Sequence, residues 1–153
     1  MTRYHLAELN VADLIARLDS PQLAGFVALL PEINALADRS PGFVWRLTDE
    51  SGADATSLRP FGPDTIVNLS VWESLETLRD YAYRSAHLAV LQRRREWFKP
   101  HGRPHQVLWW AEAGRPPTVA EAARRLEMLD ERGPTPDAFT FRAVFPPPGT
   151  LAA

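Results

Sequence analysis

Cysteine is absent from the 153 residues. That excludes disulfides, thiolate metal sites and a cysteine nucleophile, and it suits a reducing compartment. No apolar run approaches the roughly 18 to 20 residues that a membrane span requires. The stretch Met1 to Asn10 lacks the apolar core of a signal peptide, so the chain reads as mature from Met1 and cytoplasmic. Charge of one sign is scarce as well. A formal net charge of -2 gives no broad electrostatic footprint for nucleic acid. No HExxH, GxGxxG, P-loop or EF-hand pattern occurs, and neither a phosphate cradle nor a serine nucleophile elbow is present.

What is present is globular. Apolar residues make up 45% and charged residues 24%, enough for one ordinary domain with a hydrophobic core. Tyr4 to Val11 reads as a strand. Ser20-Pro21 signals a helix start, and Leu23, Phe26, Val27, Leu30, Ile33 and Ala37 follow at helical spacing, with Pro31 expected to kink or divide the helix. Ser40-Pro41-Gly42 is a turn, Phe43 to Leu47 a strand, and Thr65 to Trp72 the clearest strand of all. Ser74 caps a helix that breaks at Tyr83-Arg84-Ser85. A second helix is expected over Ala86 to Phe98, and a strand over His105 to Ala111. Thr118 and Glu121 fit a capping box for a helix ending at Gly133, and Phe139 to Phe145 alternates like an edge strand.

The order β-α-β-β-α-β is the split βαβ, ferredoxin-like pattern of the α+β class. The whole chain, 1–153, reads as one domain. Its core spans about 3–112, a C-terminal appendage about 116–146, and a loose tail 147–153. Both helices should lie on one sheet face, and something must cover the other. The apolar third and fourth strands suggest a twin sheet, hence a homodimer forming an α/β barrel. The alternative is that the C-terminal segment covers that face.

The helix expected over Ala86 to Phe98 carries polar groups inward. At about 100° per residue, Leu91, Arg94 and Phe98 fall within about 40° of His87. Arg93 faces water, while Arg94 sits in the apolar stripe, where a guanidinium needs a carboxylate, carbonyls, an anionic ligand or water. An ordinary interior ion pair or a snorkelling side chain would serve equally. His87, with Tyr83 one turn away, is either a satisfied core histidine or a base or metal ligand. Asn34 falls on the face of Leu23, Val27 and Leu30, and a buried amide must find partners. Asn68 shares a strand face with Ile66, Ser70 and Trp72, and Glu8 shares one with Asn10. Trp45 and Trp72 are candidates to wall a pocket. His101 and His105 are four apart, but Gly102 and Pro104 forbid the helix that would align them, and His5 stands alone, so no metal site is expected.

Tyr83-Arg84-Ser85-Ala86-His87 followed by Arg93-Arg94-Arg95-Glu96-Trp97-Phe98 resembles the bacterial family DUF3291. So do Tyr4 to Asn10, Pro41 to Leu47, Asn68 to Ser74 and His105 to Trp110. The resemblance implies a dimeric α/β barrel. That superfamily includes cofactor-free antibiotic-biosynthesis monooxygenases, haem-degrading enzymes and haem-containing relatives. The Tyr-Arg-Ser…His pattern is also similar to the spheroidene monooxygenase group, which implies haem with His87 as its ligand. The reading that results is an oxygenase-type enzyme acting on a small apolar or aromatic compound between sheet and helices. His87, Arg94 and Tyr83 would be catalytic, and Asn34, Trp45, Asn68, Trp72 and Phe98 would contact the substrate. The alternative is a non-catalytic homodimer binding a small ligand or haem.

Overall fold

A computed structural model describes residues 2–100 and 102–150. Four strands form one antiparallel sheet: β1 (Tyr4–Asp13), β2 (Phe43–Arg46), β3 (Thr65–Trp72) and β4 (Gln106–Glu112), in the order β2-β3-β1-β4. That is the ferredoxin-like order, with β1 and β3 central. The helices are α1 (Ala24–Arg39), α2 (Leu75–Arg84), α3 (His87–Gln92) and α4 (Val119–Arg132).

Local chemistry explains most boundaries. Ser74 and Thr77 form a reciprocal capping box at the start of α2. Thr118 Oγ1 accepts from the Glu121 N–H to open α4, and Gly133, at φ 71°, closes it. Gly42 cannot be replaced freely. Its φ is +80°, and a Cβ there would lie 2.4 Å from Thr77 Cγ2. Pro31 does not divide α1, which runs unbroken through it. The carbonyl left unpaired by the proline belongs to Val27, on the exposed side of the helix, where water can serve it.

The sheet's two faces follow from strand alternation. One face, beneath α1 and α2, carries Leu6, Trp72 and Leu108, packed with Ala37, Leu78 and Phe139. The other carries Ala7, Leu9, Val67, Leu69, Val71, Val107 and Trp109. The chain itself covers this second face. Ala122, Leu126 and Leu129 of α4 pack on it, together with Ala55, Leu58 and Phe61. Within the chain, the C-terminal segment packs on the face for which a twin sheet is the other expectation.

The edge strand expected over Phe139 to Phe145 shrinks to isolated bridges. Leu108 and Phe139 exchange both backbone hydrogen bonds at 2.8 Å, and beyond them Trp110 Nε1 donates to the Phe145 carbonyl. The prolines that follow cannot supply the N–H groups a longer strand would need. Of the expected tail, 151–153 lie outside the described residues, as does His101. Among the described residues no helix is long and apolar enough to cross a membrane.

Candidate functional site

Register lays the helix-side face out in rows. Asn10 stands opposite Asn68 on β3 and Gln106 on β4. One row along, Glu8 lies between Ser70 and Leu108, and then Leu6 lies between Trp72 and Trp110. The face therefore grades from three carboxamides, through one carboxyl group, to an aromatic end.

Glu8 is the unusual member. It is 6% exposed, on a central strand of the sheet, and forms no ion pair among the described residues. Asn10 Nδ2 donates to one of its oxygens at 3.0 Å and Gln106 Nε2 to the other at 2.7 Å. Burial pushes its pKa above the ordinary 4.5, and the two amide hydrogen bonds offset only part of that. A carboxyl group held nearer to neutrality can exchange a proton in either direction.

Tyr81 closes the site from the helix side. Its ring stacks on Trp72 at 4.9 Å, and its hydroxyl donates to the Ile33 carbonyl at 3.4 Å. Burial, reinforced by the charge of Glu8, raises its pKa well beyond the usual phenol range, so it stays neutral. Trp72, itself buried, donates from Nε1 to Ser70 Oγ at 3.0 Å. Asn34 is half-buried on α1, between the core contacts of Leu30 and Ala37.

His87 keeps an inward position. Its ring lies 4.8 Å from that of Tyr81, and Nδ1 is 3.1 Å from the Ala82 carbonyl. A carbonyl only accepts, so Nδ1 carries the hydrogen and Nε2 the lone pair. Burial lowers its pKa from 6.5, against the smaller pull of that hydrogen bond.

Other expected site residues lie elsewhere. Arg94 is exposed, because the helix expected over Ala86 to Phe98 stops at Gln92. After Arg93 the chain makes one 3-10 turn, Arg94–Glu96, and then extends. Two interactions outbid the continued helix. Trp97 is buried against Phe26, with the Arg93 guanidinium over its ring, and Phe98 forms a β-bridge with Leu14. The helical phase therefore ends before Arg94. Arg93 faces water as expected, paired with Glu96 at 2.8 Å.

Tyr83 is also exposed, packed edge-on against Phe141 of the C-terminal segment. Tyr81, two residues earlier, holds the place expected of it. Trp45 lies on the α4 side of the sheet. Phe98 packs on Phe26, away from Glu8. Asn68 is on the site's face and remains exposed, which opens the amide row to solvent.

Haem asks for an open slot at a ligating nitrogen. His87 has the right tautomer, since its other ring nitrogen is held by a carbonyl. Neither the hollow beside Leu14 and Val27 nor the one beside His5 and Trp45 is lined by His87. The Tyr81 ring already stands against the His87 imidazole. Among the described residues no group of three or more His, Asp or Glu side chains could hold a metal ion.

This architecture is an α+β, ferredoxin-like fold built on one four-stranded antiparallel sheet. Among solved structures it superposes on SnoaB, a cofactor-independent oxygenase from Streptomyces nogalater, with a TM-score of 0.51 at 19% identity, over 74% of this chain and 99% of that one. NE2512, a protein of unknown function from Nitrosomonas europaea, superposes with a TM-score of 0.47 at 15% identity, over 75% of this chain and 96% of that one. No curated protein matches the sequence. The chain belongs to the family DUF3291, a domain of unknown function, matched over residues 5–153.

Proposed function

We propose that this chain is an oxygenase-type enzyme acting on a small apolar or aromatic compound between the sheet and helices α1 and α2. One observation carries the reading: Glu8 is a buried carboxyl group whose partners among the described residues are two amides, its pKa raised, at the junction of an amide row and an aromatic wall. A structural neighbour of the same fold is a cofactor-independent oxygenase, which supplies a chemical precedent for the scaffold.

In this reading Glu8 takes a proton from an acidic C–H or O–H of the substrate. Asn10, Asn68 and Gln106 stabilise the negative oxygen that develops, as fixed donors aimed at accumulating charge. The electron-rich anion passes one electron to O2, the two radicals combine into a peroxide, and Glu8 returns the proton. Trp72 and Tyr81 supply an apolar wall. Asn34 is assigned to orient the substrate and His87 to a second proton-transfer role. Arg94, Tyr83, Trp45 and Phe98 have no part in it.

Oxygen uptake, measured over a panel of phenols and hydroquinones, tests the reading. Glu8→Gln should slow turnover by about 100-fold or more while circular dichroism stays unchanged. Turnover at the wild-type rate in that variant, or no compound turned over by the wild type, ends it. The free Nε2 of His87 favours one rival, a haem protein. A Soret band on adding hemin that disappears in His87→Ala would choose the rival instead.

A further inference from the structure

A second site lies farther along β1. Four residues beyond Asn10, about 13 Å along the strand, an open cleft of about 500 Å³ is bounded by Leu14, Leu18, Val27, Arg59 and Asp64, with Arg17, Asp19 and Pro63 at its edge. That volume lies in the range of about 300 to 1,000 Å³ typical of small-ligand sites.

Its floor is apolar, and Val27 is 39% exposed there, although it is a large hydrophobic residue. Its charges divide into spent and unspent. Arg17 and Asp19 neutralise each other at 3.0 Å. Arg59 is held differently. Nε donates to the Pro63 carbonyl at 3.2 Å, and Nη1 to the carbonyls of Leu58, at 3.0 Å, and Thr56. Three neutral carbonyls fix the guanidinium in place, and among the described residues no carboxylate cancels its charge and no acceptor takes the hydrogens of Nη2. The Asp64 carboxylate is exposed and has no partner among the described residues, while its backbone carbonyl is pinned by the Leu14 N–H at 2.8 Å.

The cleft thus presents one fixed cation, one free anion and an apolar floor, with no net charge among its lining residues. A simple anion would meet Asp64, and a simple cation would meet Arg59. A molecule carrying both charges and an apolar body satisfies all three features. We infer that the cleft binds a zwitterionic α-amino acid with an apolar side chain: the carboxylate on Arg59, the ammonium on Asp64, and the side chain on Leu14, Leu18 and Val27. Its lining includes neither Glu8, Asn10 nor Gln106, so the cleft is separate from the site proposed around Glu8.

Titration of the full-length, nitrogen-15-labelled protein with L-leucine, followed by amide shifts of residues 14–27 and 59–64, is the test. Saturable shifts confined to those segments are expected, with Kd about 1 mM. Leucinamide, lacking the carboxylate, 4-methylpentanoate, lacking the ammonium, and glycine, lacking the side chain, should each bind about tenfold more weakly or worse. Asp64→Asn should weaken leucine about tenfold and strengthen 4-methylpentanoate, which no longer meets a like charge. Val27→Glu should abolish binding. Both positions are on the surface, so these variants retain the fold even where an Arg59 variant loosens its loop. Equal binding of leucine and either half-charged analogue, an unaffected Asp64→Asn, or no saturable shift up to about 10 mM leucine overturns the assignment.

Discussion

Glu8 makes the folded chain sensitive to pH in a direction opposite to that of most carboxylates. Its folded pKa is raised, so the folded state holds the proton more tightly than the unfolded chain does. The stability linked to this group is complete below the unfolded value near 4.5 and drains away as pH rises through the folded value. Glu8→Gln removes the titration and keeps a group able to hydrogen-bond with Asn10 and Gln106. Between about pH 5 and pH 8 the variant should therefore gain stability relative to wild type, as urea melts across that range would reveal. Parallel pH profiles would mean that Glu8 ionises normally. The sequence hinted at this residue, since Glu8 and Asn10 share a face of an otherwise apolar strand. What it withheld was the partner across the sheet. Gln106 lies 98 positions away, and only the β1–β4 register brings it to the carboxyl group.

At the scale of elements, local signals read well and long-range competition did not. Capping residues announced α2 and α4, and alternation announced β3 to the residue. The segment after Gln92 carries a helical pattern, yet Trp97 and Phe98 gain more by packing on Phe26 and meeting Leu14 than by extending the helix. Nothing within residues 86–98 records where Phe26 and Leu14 will be. For the same reason Tyr81, three positions after Leu78 and one before Ala82, escaped notice as the ring that meets Trp72. The altered path has an energetic signature. Arg94→Ala should change stability by no more than about 0.5 kcal/mol. Trp97→Ala should cost about 3 to 5 kcal/mol, because a fully enclosed indole leaves a cavity. Denaturant melts of the two variants check this, and equal losses would restore the longer helix.

The whole molecule is three layers: helices, sheet, and the C-terminal appendage. Alternation made the sheet's two apolar faces legible, but a single sequence cannot say whether the second is covered by the same chain or by another copy. Here α4 covers it. A chain ending at Ala113 would bare Leu9, Leu69, Val71 and Trp109. Sedimentation velocity should find that truncated chain self-associated, with the full-length chain smaller at equal concentration. A truncated chain no larger than the full-length one would mean that the face is not sticky enough to need α4.

The Leu108–Phe139 bridge ties these layers together. Ala138 packs with the α4 side and Phe139, its immediate neighbour, with the helix side that holds Trp72 and Tyr81. The peptide passes around the rim of β4 like a stitch through two cloths. Loosening the seam at its outer end would slacken both fabrics together, so an event at α4 has a covalent route to the aromatic wall on the opposite side.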